Sequence, residues 1–331
     1  MAVAILGYFF EPVVYHIPEP PHKINIREQS VAVGHKILYW VEWFEVDHNS
    51  PSRKYSINWT RTIEVKKFVE LLGLQPSKVL LSAASFLLSS AHHQQITLHE
   101  GKEVEKKEVM IFSHGKTTTP FFYSYLQRMF TRRFRVMAAQ HHDEYRFDYG
   151  DEKSNKKARE EEVEIRAKDI EYLFRTQVKE DEALVLMGHS YGCATIIQAY
   201  HQYPELRKRV KKIVLLDPWL YPLSEHPFKT EIECPLYICA NEYFLAEGPS
   251  IADYIHGFVA LHKDAPYLAW KGADHSHQTD LCFVLGNTLR KVKNSHLSDV
   301  MMENNVGAVN MFLEEHSKEE IEAHYTEACM G

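Results

Sequence analysis

The sequence predicts an α/β fold in which a mostly parallel central sheet carries helices on both faces. Three observations lead there. From Glu108 onward, short unbroken apolar runs alternate with stretches of helical periodicity. Such runs lack the polar alternation of a sheet with one wet face, so both faces are covered. One run, in "LVLMGHSYGCATIIQAY", stops at Gly188-His189-Ser190-Tyr191-Gly192 and restarts with helical spacing, a strand entering a helix through a sharp turn. The chain of 331 residues, 45% hydrophobic, is long enough to bury a large core as one domain.

The elements follow in order. The opening "MAVAILGYFFEPVVYHIPEPP" is apolar but has no basic leader and is interrupted at Glu11-Pro12. The chain is therefore read as cytoplasmic, with secretion as the alternative. Residues Lys36 to Val46 read as an aromatic-rich strand, and Arg61 to Leu74 as a helix that stops near Gly73 and Pro76. Val79 to Ala91 is too short to span a bilayer. On a helical projection Leu80, Ala84, Leu87, Leu88 and Ala91 share one face, which either packs on the body or rests peripherally on a membrane. Strands are predicted at 109–112, 135–139, 183–187, 212–216 and 235–240, with helices at 160–177 and 191–202. The charged run from Gly150 to Glu164 reads as a solvated loop entering a helix, not as a binding site, and 314–331 as a surface helix with a frayed end.

Composition narrows the function. A net charge of -7 gives no nucleic-acid partner. Five irregularly spaced cysteines form neither a disulfide framework nor a zinc site, which suits a reducing compartment. No metal-ligand cluster and no cofactor motif is read, and His141-His142 is taken as a turn near the site.

The chemistry centres on Ser190. A serine hydroxyl needs a base to activate it and an acid to orient that base. In a strand–G-x-S-x-G–helix context these follow in the chain order serine, acid, histidine. Asp217 ends the apolar run "KKIVLL" and is followed by Pro218. After the last run, "PYLAW", the loop "KGADHSHQTD" offers His275 and His277, which position alone does not separate. An oxyanion hole would use the backbone N–H of Tyr191 and that of Lys116, in the loop after the run "VMIF".

With these residues in place the chain resembles the platelet-activating factor acetylhydrolases of the plasma and intracellular type II kind. The resemblance rests on "FSHG", "GHSYG", "LLDPWLYPL" and "DHSHQTDL", and covers roughly Val104 to Leu289. It implies an α/β-hydrolase fold and a calcium-independent phospholipase activity on short or oxidised sn-2 acyl chains. It implies Ser190 as nucleophile, Asp217 as acid and, from the ungapped alignment between Gly272 and Asp280, His275 as base. Lys116 and Tyr191 would give the oxyanion amides. The family usually has glycine where this chain has Cys193, and a second glycine where it has Lys116-Thr117-Thr118. The expected organisation is one domain, with a divergent part at 1–104, a catalytic body at 105–290 and a helical tail at 291–331. The expected partner is a phospholipid substrate, with no metal or other cofactor. A carboxylesterase or lactone hydrolase on soluble esters is one alternative. An inactive hydrolase fold that binds lipid is another.

Overall fold

A computed structural model describes residues 18–33, 36–47, 49, 51–57, 94–142, 151–280 and 298–329. The expected helices at 61–74 and 79–91 lie outside these residues.

Ten strands are described: β1 (Ile24–Val33), β2 (Lys36–Glu45), β3 (Ser52–Ile57), β4 (Gln94–His99), β5 (Glu108–Ser113), β6 (Arg135–Gln140), β7 (Ala183–His189), β8 (Val210–Leu216), β9 (Leu236–Asn241) and β10 (Tyr267–Trp270). Eight of them form one sheet in the order β1-β2-β6-β5-β7-β8-β9-β10. The strands from β6 to β10 along that order are parallel, while β1 and β2 extend the sheet antiparallel at one edge. Strands β3 and β4 pair separately as a hairpin. The chain is thus of the α/β class expected, and every predicted strand from 109 onward is present within two residues of its expected bounds.

Helices cover both faces. They are α1 (Ser124–Met129), α2 (Glu152–Gln177), α3 (Tyr191–Gln202), α4 (Pro204–Arg209), α5 (Glu225–Lys229), α6 (Glu242–Ala246), α7 (Pro249–Leu261), α8 (Ser298–Leu313) and α9 (Lys318–His324). Side chains along a strand alternate between faces, and the core divides accordingly. Val109, Ile111, Leu184, Leu186, Ile213 and Leu215 face one layer with α2 and α3. Met110, Phe112, Val185, Met187, Val214 and Leu216 face the other with α1 and α8. The unbroken apolar runs are explained by this double coverage.

One expectation is corrected. The charged run at 150–164 is not a loop leading into a helix: α2 begins at Glu152, capped by the Asp151 carboxylate accepting from the Ser154 N–H. Its inward face carries Arg159, Glu162, Arg166 and Asp169 beside Val163, Ala167 and Ile170. Those buried charges mask the apolar periodicity that would have marked it. The surface helix expected at the chain end is present as α9, and one side of this segment is anchored in the core. Ile321, Tyr325 and Cys329 join the core, and the Lys271 N–H donates to the Ala328 carbonyl at 3.0 Å. The segment covers β10, the edge strand, whose unpaired backbone groups would otherwise stand open.

Candidate active site

The parallel strands deliver their carboxyl ends to one rim, where ligands of open α/β sheets collect. Ser190 lies between β7 and α3 with φ 56° and ψ -123°. A non-glycine residue in that conformation is strained by roughly 1–3 kcal/mol and persists only when its surroundings hold it. Here the Ser190 N–H donates to the Leu216 carbonyl at 3.0 Å, and its carbonyl accepts from the amides of Cys193 at 3.0 Å and Trp219 at 3.2 Å. The flanking glycines are needed for closeness. A side-chain carbon on Gly192 would fall 2.0 Å from the Ser113 carbonyl oxygen, and one on Gly188 would fall 2.7 Å from the backbone of Gly192.

The structure brings Ser190, His275 and Asp217 together. Ser190 Oγ lies 2.8 Å from His275 Nε2, and His275 Nδ1 lies 2.6 Å from Asp217 Oδ2. A carboxylate only accepts, so Nδ1 carries the proton and Nε2 is left to accept from the serine hydroxyl. Asp217 follows β8 directly, at φ 49°, with its N–H on the Cys239 carbonyl at 2.7 Å. It is completely buried. Burial pushes its carboxyl above the usual carboxylate range, and His275 and then Asn241 pull it back. Asn241, the last residue of β9, donates its backbone N–H to Asp217 Oδ1 at 2.9 Å and its side-chain amide to Oδ2 at 3.0 Å. His275 stacks on Phe244 with ring centroids 3.9 Å apart and planes 17° apart, which fixes the ring in the plane the relay needs.

His277 sits elsewhere in the same turn. Its Nδ1 accepts from the Asp274 N–H at 2.9 Å, and with the Asp274 carboxylate it closes a capping box on the short 3₁₀ turn His275–Gln278. Local backbone capping is thus its visible work.

The loop after β5 lies against the nucleophile: a side-chain carbon on Gly115 would fall 3.4 Å from Ser190 Cβ. The Gly115 N–H donates to the Tyr123 hydroxyl at 3.0 Å, so that amide is committed, and Lys116 is the next in line. Lys116 anchors its ammonium on buried Glu162, while Arg166 donates to the carbonyls of His114 at 3.1 Å and Gly115 at 3.2 Å. Thr117 takes φ 59°, where glycine is usual, and its neighbour Thr118 ties Oγ1 to the Gly115 carbonyl at 2.9 Å. Ion pairs and threonine hydroxyls fix this loop. Tyr191 is the first residue of α3, where backbone amides have no acceptor inside the helix and the dipole favours negative charge.

Tyr123 ties this loop to the elbow, since its hydroxyl also meets His189 Nδ1 at 2.8 Å. Burial, and then His275, hold His189 well below its ordinary histidine value, so the ring is neutral. His189, Asp217 and His275 place donor atoms within 4.8 Å of one another. The rings of His189 and His275 lie 4.5 Å apart and tilted by 34°. Both nitrogens of His275 are already engaged, by Asp217 and Ser190, and His189 Nδ1 by the Tyr123 hydroxyl. The donor set suits proton relay better than a cation. His141 is buried and bonds to Asp169 at 3.1 Å and Ser113 at 2.9 Å, whereas His142 is exposed, so the pair does not converge on a ligand.

Sequence reasoning missed Asn241, Tyr123 and Phe244. Asn241 had a readable signal, a polar residue directly after an apolar strand, the same signal that marked Asp217. Nothing in "PFFYSYL" or "NEYFLA" distinguishes Tyr123 or Phe244 from core aromatics.

Part of the chain is similar to known proteins. Residues 172–328 match the family model of platelet-activating factor acetylhydrolase, isoform II. Over that segment the chain is similar to the platelet-activating factor acetylhydrolases, and its fold is that of the α/β hydrolases. The platelet-activating factor acetylhydrolase of Cavia porcellus is 29% identical over 106 residues, which is 32% of this chain and 23% of the relative's length. A ferulic acid esterase from Streptomyces cinnamoneus superposes with a TM-score of 0.59 at 14% identity, covering 91% of this chain and 93% of that one. That likeness carries the fold.

Proposed function

We propose that the chain hydrolyses the sn-2 acetyl or short acyl ester of a phospholipid resembling platelet-activating factor, through an acyl-enzyme on Ser190. The observation that carries it is the unbroken relay Ser190–His275–Asp217 inside the segment that matches the family. Ser190 Oγ attacks the ester carbonyl as His275 Nε2 takes its proton. Asp217, held by Asn241, stabilises the imidazolium that forms. The amides of Tyr191 and Lys116 face the developing oxyanion, and an aimed donor of this kind is worth roughly 3–4 kcal/mol. The tetrahedral adduct collapses, the lyso-lipid oxygen leaves with the proton from His275, and the acyl group stays on Ser190. Water, deprotonated by His275, then releases the carboxylic acid and restores the serine.

This assignment needs no metal and no cofactor. An inactive lipid-binding fold has no use for the strained serine or for the three donors around Asp217. The enzyme would work in the cytoplasm and meet its substrate at a membrane surface. Among the described residues no helix is long and apolar enough to cross a membrane. Turnover of two esters of equal acyl length, one soluble and one in a phospholipid, tests the reading. A clear preference for the phospholipid is expected. Equal or better turnover of the soluble ester would make the protein a general carboxylesterase or lactone hydrolase.

A further inference from the structure

A string of buried amides runs from the core to the acid. At its far end the indole N–H of Trp270, the last residue of β10, donates to Asn305 Oδ1 at 2.9 Å. Asn305, on α8, donates its side-chain amide to Gln278 Oε1. Gln278 ends the 3₁₀ turn that carries His275, and its amide donates to Asn241 Oδ1 at 3.3 Å. Asn241 Nδ2 donates to Asp217 Oδ2 at 3.0 Å, the oxygen that also faces His275 Nδ1. All of these residues are completely buried.

Chemistry gives the string one direction. An indole N–H can only donate and a carboxylate can only accept. Between those ends each amide must accept on its oxygen and donate from its nitrogen. Turning any one of them over sets oxygen against oxygen on one side and nitrogen against nitrogen on the other. The Cys239 thiol runs alongside in the same sense, accepting from Gln278 at 3.6 Å and donating to Asn305 Oδ1 at 3.4 Å. Burial pushes that thiol well above its ordinary range, so it keeps the proton it donates. Stability alone does not call for such a string. Asn305 belongs to a helix that otherwise sends Met302, Val306 and Val309 into the core. Replacing a buried bonded pair by apolar groups of the same shape is often neutral or stabilising. What the string adds lies at its near end. Hydrogen bonds in a chain polarise one another in a low-dielectric interior. An amide that accepts on its oxygen therefore donates more firmly from its nitrogen, and here that nitrogen faces the acid.

We propose that Gln278 and Asn305 are positioning residues for the acid, holding and polarising the Asn241 amide against Asp217 from the turn and from α8. The inference rests on the relay reading of Ser190, His275 and Asp217, but not on which ester is the substrate. The experiment is the rate at which a fluorophosphonate labels Ser190 in the full chain, together with the low-field proton resonance of His275 Nδ1. Gln278→Met fills much of the same space without a donor or an acceptor, and is expected to slow labelling about fivefold. Asn305→Leu, one bond further from the acid, is expected to slow it about threefold, and it decides the matter should the methionine variant fail to fold. In an Asn241→Leu background, where the amide they act through is gone, either change should alter the rate by less than about 1.5-fold. The His275 Nδ1 resonance should move downfield in both single variants, because an oxygen held less firmly by one donor leans harder on the other. A merely structural role would lower the melting temperature in both backgrounds and leave the resonance in place. Labelling within about 1.5-fold of wild type in both single variants, or slowing undiminished in the Asn241→Leu background, overturns the proposal. So does a resonance that stays put or moves upfield. A wild type that labels while its variants are unmoved keeps the relay and retires the string. A wild type that does not label retires the relay reading, and the resonance then decides whether the string holds the acid.

Discussion

Asn241→Leu is the sharpest test of how the acid is held. Three donors face the Asp217 carboxylate: His275 Nδ1, the Asn241 backbone N–H and the Asn241 side-chain amide. Leucine has the same branching and number of side-chain heavy atoms, keeps the backbone donor and removes the side-chain one. A hydrogen bond to a charged group is worth about 1.5–3 kcal/mol. If that support is lost mainly when the imidazolium forms, kcat/KM should fall about 10- to 100-fold, since 1.4 kcal/mol is a factor of ten. The pH dependence has a definite sign. Asn241 pulls the Asp217 carboxyl down against its burial, so without the amide the carboxyl rises further. More of it is then protonated at any given pH, and the acid limb of kcat/KM moves to higher pH. The substitution also strips the Asp274 carbonyl of its 2.9 Å donor and the Gln278 amide of its 3.3 Å acceptor, so the melting temperature should fall as well. The assay is kcat/KM on a soluble acetate ester across the acid limb and the plateau, alongside thermal unfolding. A plateau within twofold of wild type and an unmoved acid limb would refute the reasoning, whatever the stability change.

Four further outcomes are expected. Ser190→Ala should abolish nearly all turnover and all labelling by a fluorophosphonate, and label surviving in the variant would remove Ser190 from its role. His275→Ala should be inactive, while His277→Ala should keep at least about a tenth of the activity and lose about 1 kcal/mol of stability with its cap; the reverse pattern would exchange the two histidines. Thr117→Gly should raise unfolding stability by about 1 kcal/mol, because the left-handed backbone at φ 59° costs a β-branched residue that much; a denaturant midpoint that falls would show that the side chain earns more than its strain. Asp280, fully buried, has its carboxyl pushed up by burial from 3.8 to about 7, so the folded chain binds the proton more tightly than the unfolded one. Wild-type stability relative to Asp280→Asn should therefore decline as pH rises between those values, by up to about 1.4 kcal/mol per unit, and then level off; a gap independent of pH would place the carboxyl in the ordinary range.

How much of this was legible follows from where each interaction lies along the chain. The strands were readable because both faces of the sheet are covered, so Val109 to Phe112 and Ile213 to Leu216 leave no polar position to confuse the period. Ser190 was readable because its strain forces glycines at fixed neighbours, and Asp217 because a carboxylate that ends an apolar strand is rare without a task. His275 and His277 could not be told apart by position, since both sit in one turn. Only the partners distinguish them: one meets a carboxylate 58 residues away and the other a backbone amide three residues away. The same reasoning explains α2. Its buried side is built from Arg159, Glu162 and Arg166, which locally resemble a solvated charge run. They become an inward face only when Lys116, Tyr191 and the His114 carbonyl arrive from distant segments to satisfy them. Buried charge is tolerated only when paired in this way, and pairing between segments leaves no trace in local periodicity. The residues that escaped sequence reading are therefore mostly those whose partners are far along the chain. They are concentrated at the rim, where several strand ends must agree on the position of one serine.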